Sequence, residues 1–300
     1  MDDLLIPHPI PHDAPELLSL PHLHLRTRPE LAAMGMSTRQ LDRKLAAGEI
    51  IRLAHGIYGT SQTPGPIIRA LQSRQLLTCI SALSLLGFWQ IRDEKIHVAQ
   101  LRAGSRSARA RHRSGVVLHD PAPRRIPGSK LFVPVPDALE HVIRCRGVED
   151  GAIELESGLR RGLITRDDVE QVRSALPLRL DRALGELRCD ADAGTETKTR
   201  RFFERRGVEV RAQVEFLDGM WRVDLLVGDC LVVECDSLEF HTGVEEYDRT
   251  YRKRLDLQAL GMVYVQLTYE QVMIDWERTS RMLGAMLDRR EHRTRRRTVA

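Results

Sequence analysis

The chain lacks several features that would place it in a familiar class. No apolar run in its 300 residues approaches the roughly 20 needed to span a membrane. Its first residues, MDDLLIPHPIPHD, have neither the basic nor the apolar region of a secretory signal peptide. We therefore expect a cytoplasmic protein with no membrane partner. P-loop, HExxH and GxSxG motifs are also absent, so ATP-driven, zinc-protease and serine-hydrolase activities have no support.

Cysteine is scarce as well. The chain has five cysteines, widely spaced and without a C-x-x-C pair, so neither a disulfide framework nor a zinc site is indicated. We expect reduced, structural thiols at Cys79, Cys145, Cys189, Cys230 and Cys235. The sequence also favours packing or surface roles, rather than metal ligation, for His97, His119 and His141.

The excess of positive over negative charge is small, but the arginines are unevenly distributed along the chain. The net charge is only +4, yet arginines crowd into residues 102–113 (RAGSRSARARHR) and 289–297 (RREHRTRRR). Such segments suit contacts with phosphate groups. The alternative is a solvated loop and a frayed tail.

Length and pattern divide the chain into segments. Three hundred residues suggest about two domains. Residues 1–25, rich in proline and histidine, predict a flexible tail. The pattern then predicts a winged helix over 26–62, an α/β middle segment over 63–186, and an α/β domain over 187–300. The last domain has the order helix, three strands, helix, strand, helix, which indicates a mixed sheet flanked by helices.

The winged-helix prediction depends on a helix–turn–helix pattern followed by two short strands around Gly56. Ser37 is a plausible N-cap of the second helix. The polar face of that helix carries Arg39, Arg43 and Lys44, which could contact DNA in a major groove. The run GMSTRQLDRKLAAGEIIRLAHGIY resembles the N-terminal region of AbiEi-type antitoxins. The alternative is a winged helix that serves protein contacts only.

The middle segment contains two predicted strands, KIHVAQL and SGVVLHD, on either side of the arginine-rich loop. We expect that loop to be a hairpin tip placed against nucleic acid. Its candidate DNA contacts are Arg106, Arg109, Arg111 and Arg113. A helical period runs through IIRALQSRQLLTCISALSLLGF, and three amphipathic helices are predicted after the second strand.

Carboxylates interrupt the apolar stretch WRVDLLVGDCLVVECD, residues 221–236. If Val227 pairs with Leu231 across a three-residue loop, Asp224 lies opposite Glu234. Facing carboxylates repel, unless a divalent cation neutralises both. Oxygen ligands suit Mg²⁺ or Mn²⁺. The alternative is a set of edge-strand acids that face solvent and pair with arginines.

Glu196 on the first helix, Asp224 on the second strand and the E-x-D at Glu234 and Asp236 together resemble the PD-(D/E)XK nuclease superfamily. The nearest likeness is to the DUF559 group, related to very-short-patch repair endonucleases, through RVD, LVVECDSLEFH and YDRTYRKRLDLQALG. The resemblance implies a restriction-endonuclease-like fold. It also implies a metal held by Asp224 and Glu234, with Glu196 completing the shell directly or through water.

One departure concerns the superfamily's usual lysine, whose position is taken here by Asp236. Candidate replacement cations are His241, Arg252 and Lys253, with His241 also able to orient or deprotonate the attacking water. Arg252 has a second interpretation, because Asp248 and Arg252 form an i, i+4 pair that stabilises a helix. Ser237 replaces the glycine that typically follows in DUF559-like chains.

Two functions follow as expectations. The first is a Mg²⁺- or Mn²⁺-dependent DNA endonuclease of bacterial phage defence or DNA repair, with DNA as partner and a protein partner within such a system. The second is an AbiEi-type antitoxin or transcriptional regulator whose nuclease-like domain is inactive.

Overall fold

The computed structural model describes residues 20–99, 115–119, 131–236 and 244–294, with the side chains of 244–247 left out. The chain divides into two compact units, Met1–Leu187 and Arg188–Ala300. Both units are mixed α/β, as the sequence predicts. Across the described ranges, no helix combines the length and apolar character that crossing a bilayer requires.

The first unit opens with a helix–turn–helix and a three-stranded antiparallel sheet. Its elements are β1 (Leu25–Thr27), α1 (Arg28–Ala33), α2 (Thr38–Ala46), β2 (Ile51–Ala54) and β3 (Ile57–Gly59), with sheet order β1-β3-β2. Thr27 and Ser37 cap the two helices, each in a capping box with Glu30 or Gln40. The predicted N-cap at Ser37 and the hairpin around Gly56 are therefore confirmed.

The predicted tail is too long at its C-terminal end. Residues 21–23 form a 3₁₀ turn, and the side chains of Leu20, Leu23 and Leu25 are buried. Three leucines in six residues supply enough apolar area to hold this stretch on the unit. Residues 1–19 lie outside the described part of the chain.

The next elements form a second small sheet with order β4-β5-β6. They are α3 (Gly65–Gln72), β4 (Leu76–Leu77), α4 (Cys79–Leu83), β5 (Ile96–Ala99) and β6 (Val116–His119), with a 3₁₀ turn at Ser84–Leu86. Strand β4 interrupts what the sequence presents as one helical period. Strands β5 and β6 are parallel, so the predicted hairpin is wrong, because parallel neighbours need a crossover connection. The arginine-rich segment 102–113 itself lies outside the described residues.

Four helices complete the first unit: α5 (Val135–Arg146), α6 (Val148–Arg160), α7 (Arg166–Ala175) and α8 (Leu178–Leu184). The three amphipathic helices predicted here are confirmed as α5, α6 and α7. Helices α5 and α6 pack closely, since a Cβ on Gly151 would lie 2.3 Å from Cγ1 of Ile143.

The second unit has the predicted order of helix, three strands, helix, strand, helix. Its elements are α9 (Gly194–Glu204), β7 (Val210–Phe216), β8 (Trp221–Val227), β9 (Leu231–Cys235), α10 (Val244–Ala259), β10 (Val263–Leu267) and α11 (Trp276–Asp288), with a π-helical turn at Glu270–Ile274. The sheet order is β10-β9-β8-β7, antiparallel except for the β9–β10 pair. The predicted mixed sheet is confirmed.

Apolar side chains cover both faces of this sheet. One cluster joins Phe202 and Phe203 of α9 to Leu225 and Val233, and the other joins Leu257 of α10 to the strands. Glu234 lies on the face of Val232, which is the face that Leu257 and Lys253 of α10 cover. Val223 and Leu226 both pack in the cluster on this face, so the alternation of side chains along β8 is interrupted beside Asp224. The sheet and α10 therefore enclose the carboxylate of Glu234.

Candidate active site

Strands β8 and β9 bring Asp224 and Glu234 close to each other. Val227 pairs with Leu231 and Leu225 with Val233, which is the register predicted from a three-residue loop. The pairing of the two strands ends at Leu225 and Val233, next to Asp224 and Glu234, and the backbone N–H of Cys235 donates to Oδ2 of Asp224. The predicted three-residue loop and its register are confirmed, and the direct facing of the two acids stays a prediction.

Both carboxylates lie in surroundings that disfavour their charge. Burial raises the pKa of Asp224, although its Oδ2 accepts a hydrogen bond from the backbone N–H of Cys235 at 2.8 Å. Burial and the nearby Asp224 together raise the pKa of Glu234 to about 7. A pair of this kind favours a shared proton or a bound cation.

Lys253 supplies a cation at this place. Its Nζ lies 2.7 Å from Oε1 of Glu234 and donates to the backbone carbonyl of Arg222 at 2.5 Å. The Lys253 and Glu234 side chains are only 15% and 13% exposed, so water screens the ion pair weakly. Lys253 projects from α10, the helix that covers this face of the sheet.

Glu196 is buried in the first turn of α9, where a carboxylate suits the helix dipole. Its Oε2 accepts hydrogen bonds from the backbone N–H of Asp192 at 2.9 Å and from Nε2 of Gln213 at 2.8 Å. Gln213 has a φ of +53° in strand β7, and a regular register would place it opposite Asp224. This local distortion sends the Gln213 side chain to Glu196.

The other described candidates, Asp236 and Arg252, bind partners other than Asp224 and Glu234. Asp236 accepts hydrogen bonds from Nε2 of Gln266, at 2.9 and 3.0 Å, on strand β10. Arg252 is exposed and pairs with Asp248 at 2.6 Å, as its helix-stabilising interpretation expects. The adjacent Lys253, not Arg252, contacts Glu234. His241 lies outside the described residues.

Among the residues that the structure describes, the carboxylates of Glu196, Asp224, Glu234 and Asp236 do not converge as a group of three or more that could hold a metal ion. Ligation of a cation by Glu196 therefore stays a prediction.

The predicted DNA contacts fall in two places. Arg39 and Arg43 are exposed on α2, while Nζ of Lys44 pairs with Glu49 at 2.5 Å. Arg106, Arg109, Arg111 and Arg113 lie outside the described residues. The contribution of α2 consists of two exposed arginines on one helix face.

A four-residue cluster that sequence reasoning missed lies in the first unit. The donor atoms of Cys79, His97, His119 and Cys145 all lie within 4.8 Å of one another. Burial raises the pKa of Cys79, whereas hydrogen bonds from Cys79, His119 and His97 lower the pKa of the Cys145 thiol. The only sequence signal was a histidine in each of two neighbouring strands, since the two cysteines are far apart in the chain.

Comparison of the chain with protein-family models and with curated proteins gave no match.

Proposed function

We propose that the protein is a metal-dependent DNA endonuclease of the PD-(D/E)XK type. The observation that carries this proposal is the close pair of Asp224 and Glu234, half-buried on neighbouring strands, with Lys253 2.7 Å from Glu234. Buried acids are costly and need a compensating partner. In a nuclease site of this kind, a bound metal ion is the compensating partner of the two acids.

The order of α9, β7, β8, β9, α10 and β10 also supports the proposal. It matches the restriction-endonuclease-like order that the sequence resemblance implies, with Glu196 on the helix and the other acids on β8 and β9. The helix–turn–helix and the β2–β3 hairpin of the first unit support a winged helix with DNA as its partner.

The donor set fits a hard divalent cation. Asp224 and Glu234 offer only oxygen, and their raised pKa values mean that a positive charge between them would relieve an electrostatic cost. Asp224 and Glu234 would hold Mg²⁺ or Mn²⁺, with Glu196 completing the shell directly or through water. When bound, the cation would offset charge on the scissile phosphate and acidify the attacking water.

Lys253 would take over the function of the superfamily's displaced lysine. Its ammonium neutralises part of the charge of the acidic pair and is held in place by the Arg222 carbonyl. A cation fixed at this point stabilises negative charge that develops on a phosphate during hydrolysis. Asp236 does not supply this charge, and its carboxylate is held by Gln266.

The test is cleavage of plasmid and single-stranded DNA with and without Mg²⁺ or Mn²⁺. We expect wild-type protein and Glu215→Gln to cut, because Glu215 is an exposed carboxylate of β7 in the same sheet. Asp224→Asn and Glu234→Gln should lose cutting while keeping their affinity for DNA. Equal cutting by all four proteins, or by none of them, would refute the nuclease.

A second candidate function is a DNA-binding regulator of antitoxin type. It is favoured by the finding that, within the described ranges, no third carboxylate converges with those of Asp224 and Glu234. Binding of DNA without metal-dependent cutting by the wild-type protein would support this second function.

A further inference from the structure

We infer that Cys79, His97, His119 and Cys145 form a structural zinc site in the first unit. This site is independent of the acidic pair and of the proposed nuclease activity. It rests on where the fold places four donor atoms that come from four different elements.

The two histidines are brought together by the parallel pairing of β5 and β6. Ala99 pairs with His119 and His97 with Val117, so both histidines lie on one face of the sheet with a two-residue stagger. Nδ1 of His97 lies 3.0 Å from Nε2 of His119. Both rings are buried, so two ring nitrogens face each other away from solvent.

The two sulfurs come from helix ends. Cys79 begins α4 immediately after β4, where the N–H of Thr78 donates to the carbonyl of His97. Cys79 is fully buried and has a φ of +53°, a strained conformation for a residue other than glycine. Cys145, near the C-terminal end of α5, places its Sγ 3.9 Å from Nδ1 of His97.

These separations are those of one tetrahedral ion. Zn–N bonds of about 2.0–2.1 Å and Zn–S bonds of about 2.3 Å at a tetrahedral ion put two nitrogens about 3.3 Å apart and a nitrogen and a sulfur about 3.6 Å apart. The observed N···N distance of 3.0 Å and S···N distance of 3.9 Å, with all four donors inside 4.8 Å, lie within a few tenths of an ångström of those values. A tetrahedral set of two sulfurs and two nitrogens favours zinc over Mg²⁺ or Ca²⁺.

A second shell orients the first histidine. Oδ2 of Asp93 lies 3.3 Å from Nε2 of His97, the nitrogen that faces away from the cluster. The same carboxylate accepts from Nη1 of Arg146 at 2.6 Å, and Arg146 also binds Asp150. Metal-binding histidines usually donate their other N–H to a carboxylate in this way.

The second histidine is also held in place. The ring of His141 stacks on His119 with centroids 4.8 Å apart, and Nδ1 of His141 lies 2.7 Å from Oγ1 of Thr78. His141 is therefore a positioning residue for His119.

The site has a route for the ion and a structural consequence. Three donors are buried and Cys145 is exposed, so an ion can enter from the Cys145 side. Four protein ligands fill a tetrahedral shell and leave no place for substrate, which is typical of a structural site. The ion would connect strands β5 and β6 to the start of α4 and to the end of α5.

The test begins with the metal content of the purified full-length protein by mass spectrometry. We expect one zinc ion per chain in the wild type and in Cys189→Ser, whose cysteine belongs to the other unit. Cys145→Ser should lose the ion while keeping the circular dichroism spectrum of a folded protein, because this cysteine is exposed. Glu234→Gln should retain it, which separates this site from the acidic pair.

The absorption spectrum of the Co²⁺-loaded protein then identifies the ligands. The metal-free protein loaded with Co²⁺ should show the visible absorption of a tetrahedral ion and a thiolate-to-cobalt charge-transfer band, and Cys145→Ser should lose the band. Asp93→Asn, which keeps all four ligands, should weaken zinc binding by about 10- to 100-fold. Absence of zinc from the wild type together with no cobalt band, or a Cys79–Cys145 disulfide in freshly purified protein, would overturn the inference.

Discussion

The ammonium of Lys253 lies 2.7 Å from Oε1 of Glu234 and donates to the carbonyl of Arg222 on the neighbouring strand. A single side chain of α10 therefore contacts both β8 and β9 beside the carboxylates of Asp224 and Glu234. In the proposed nuclease this cation competes with a metal for Glu234 and also stabilises charge on the phosphate.

Lys253→Met separates these two effects. We expect cleavage to fall by about 10²-fold or more, because a fixed cation is lost from the reacting phosphate. The affinity for Mn²⁺ should rise, because Glu234 no longer pairs with an ammonium. Nicking rates measure the first effect and electron paramagnetic resonance of Mn²⁺ the second. Arg254→Met, an exposed cation on the same helix, is the control. A variant that cuts as fast as the wild type would remove Lys253 from the mechanism.

The raised pKa of Glu234 predicts how the stability of the protein depends on pH. Its pKa rises from 4.5 to about 7 on folding, chiefly through burial and the nearby Asp224. Between these values the unfolded chain has released a proton that the folded chain still binds, so stability should decrease as pH rises through this window. The effect should be on the order of 1–3 kcal/mol. Urea unfolding at pH 5 and pH 8, followed by the fluorescence of Trp221 and Trp276, measures it.

Glu234→Gln is the matching variant, since it keeps the shape of the side chain and cannot ionise. Its unfolding free energy should change less between the two pH values than that of the wild type. At pH 8, Mg²⁺ should stabilise the wild type and not this variant, because a ligand stabilises the state that binds it. Equal pH dependence of the two proteins would contradict the prediction.

The second unit could be predicted closely because its signals are local. A three-residue loop fixes the register of β8 and β9, and a one-residue slip would move Asp224 to the other face. Sequence could not choose between Arg252 and Lys253, because neighbouring helix positions point about 100° apart. Which of the two meets Glu234 depends on how α10 is rotated on the sheet.

The histidine and cysteine cluster of the first unit was harder to predict, because it too depends on how elements pack against each other. Apolar alternation is the same in parallel and antiparallel strands, so β5 and β6 gave no sign that they run side by side in one direction. That pairing is what brings His97 to His119. Cys79 and Cys145 join them only through the packing of α4 and α5, which no local spacing reveals.

Two helical glycines offer a matched pair of stability tests. A Cβ on Gly151 of α6 would lie 2.3 Å from Cγ1 of the buried Ile143, so Gly151→Ala should destabilise the first unit by about 1–3 kcal/mol. A Cβ on Gly284 of α11 meets no heavy atom within 4 Å, so Gly284→Ala should stabilise the second unit by about 0.5–1 kcal/mol. Calorimetric unfolding measures both. Equal effects of the two substitutions would show that the contact with Ile143 does not limit packing.

DNA binding by α2 can be tested apart from cutting. Arg39 and Arg43 lie one helical turn apart and are exposed, whereas Lys44 pairs with Glu49 at 2.5 Å. If each arginine contacts one phosphate, Arg39→Gln and Arg43→Gln should each reduce the slope of log affinity against log salt concentration by about 1. Lys44→Gln should change it less, because Glu49 already compensates that charge. Fluorescence anisotropy with a labelled duplex, measured at several salt concentrations with EDTA to prevent cutting, gives the slopes. A slope unchanged by either arginine substitution would show that α2 does not contact the phosphates, and DNA would then have to bind through another surface of the protein.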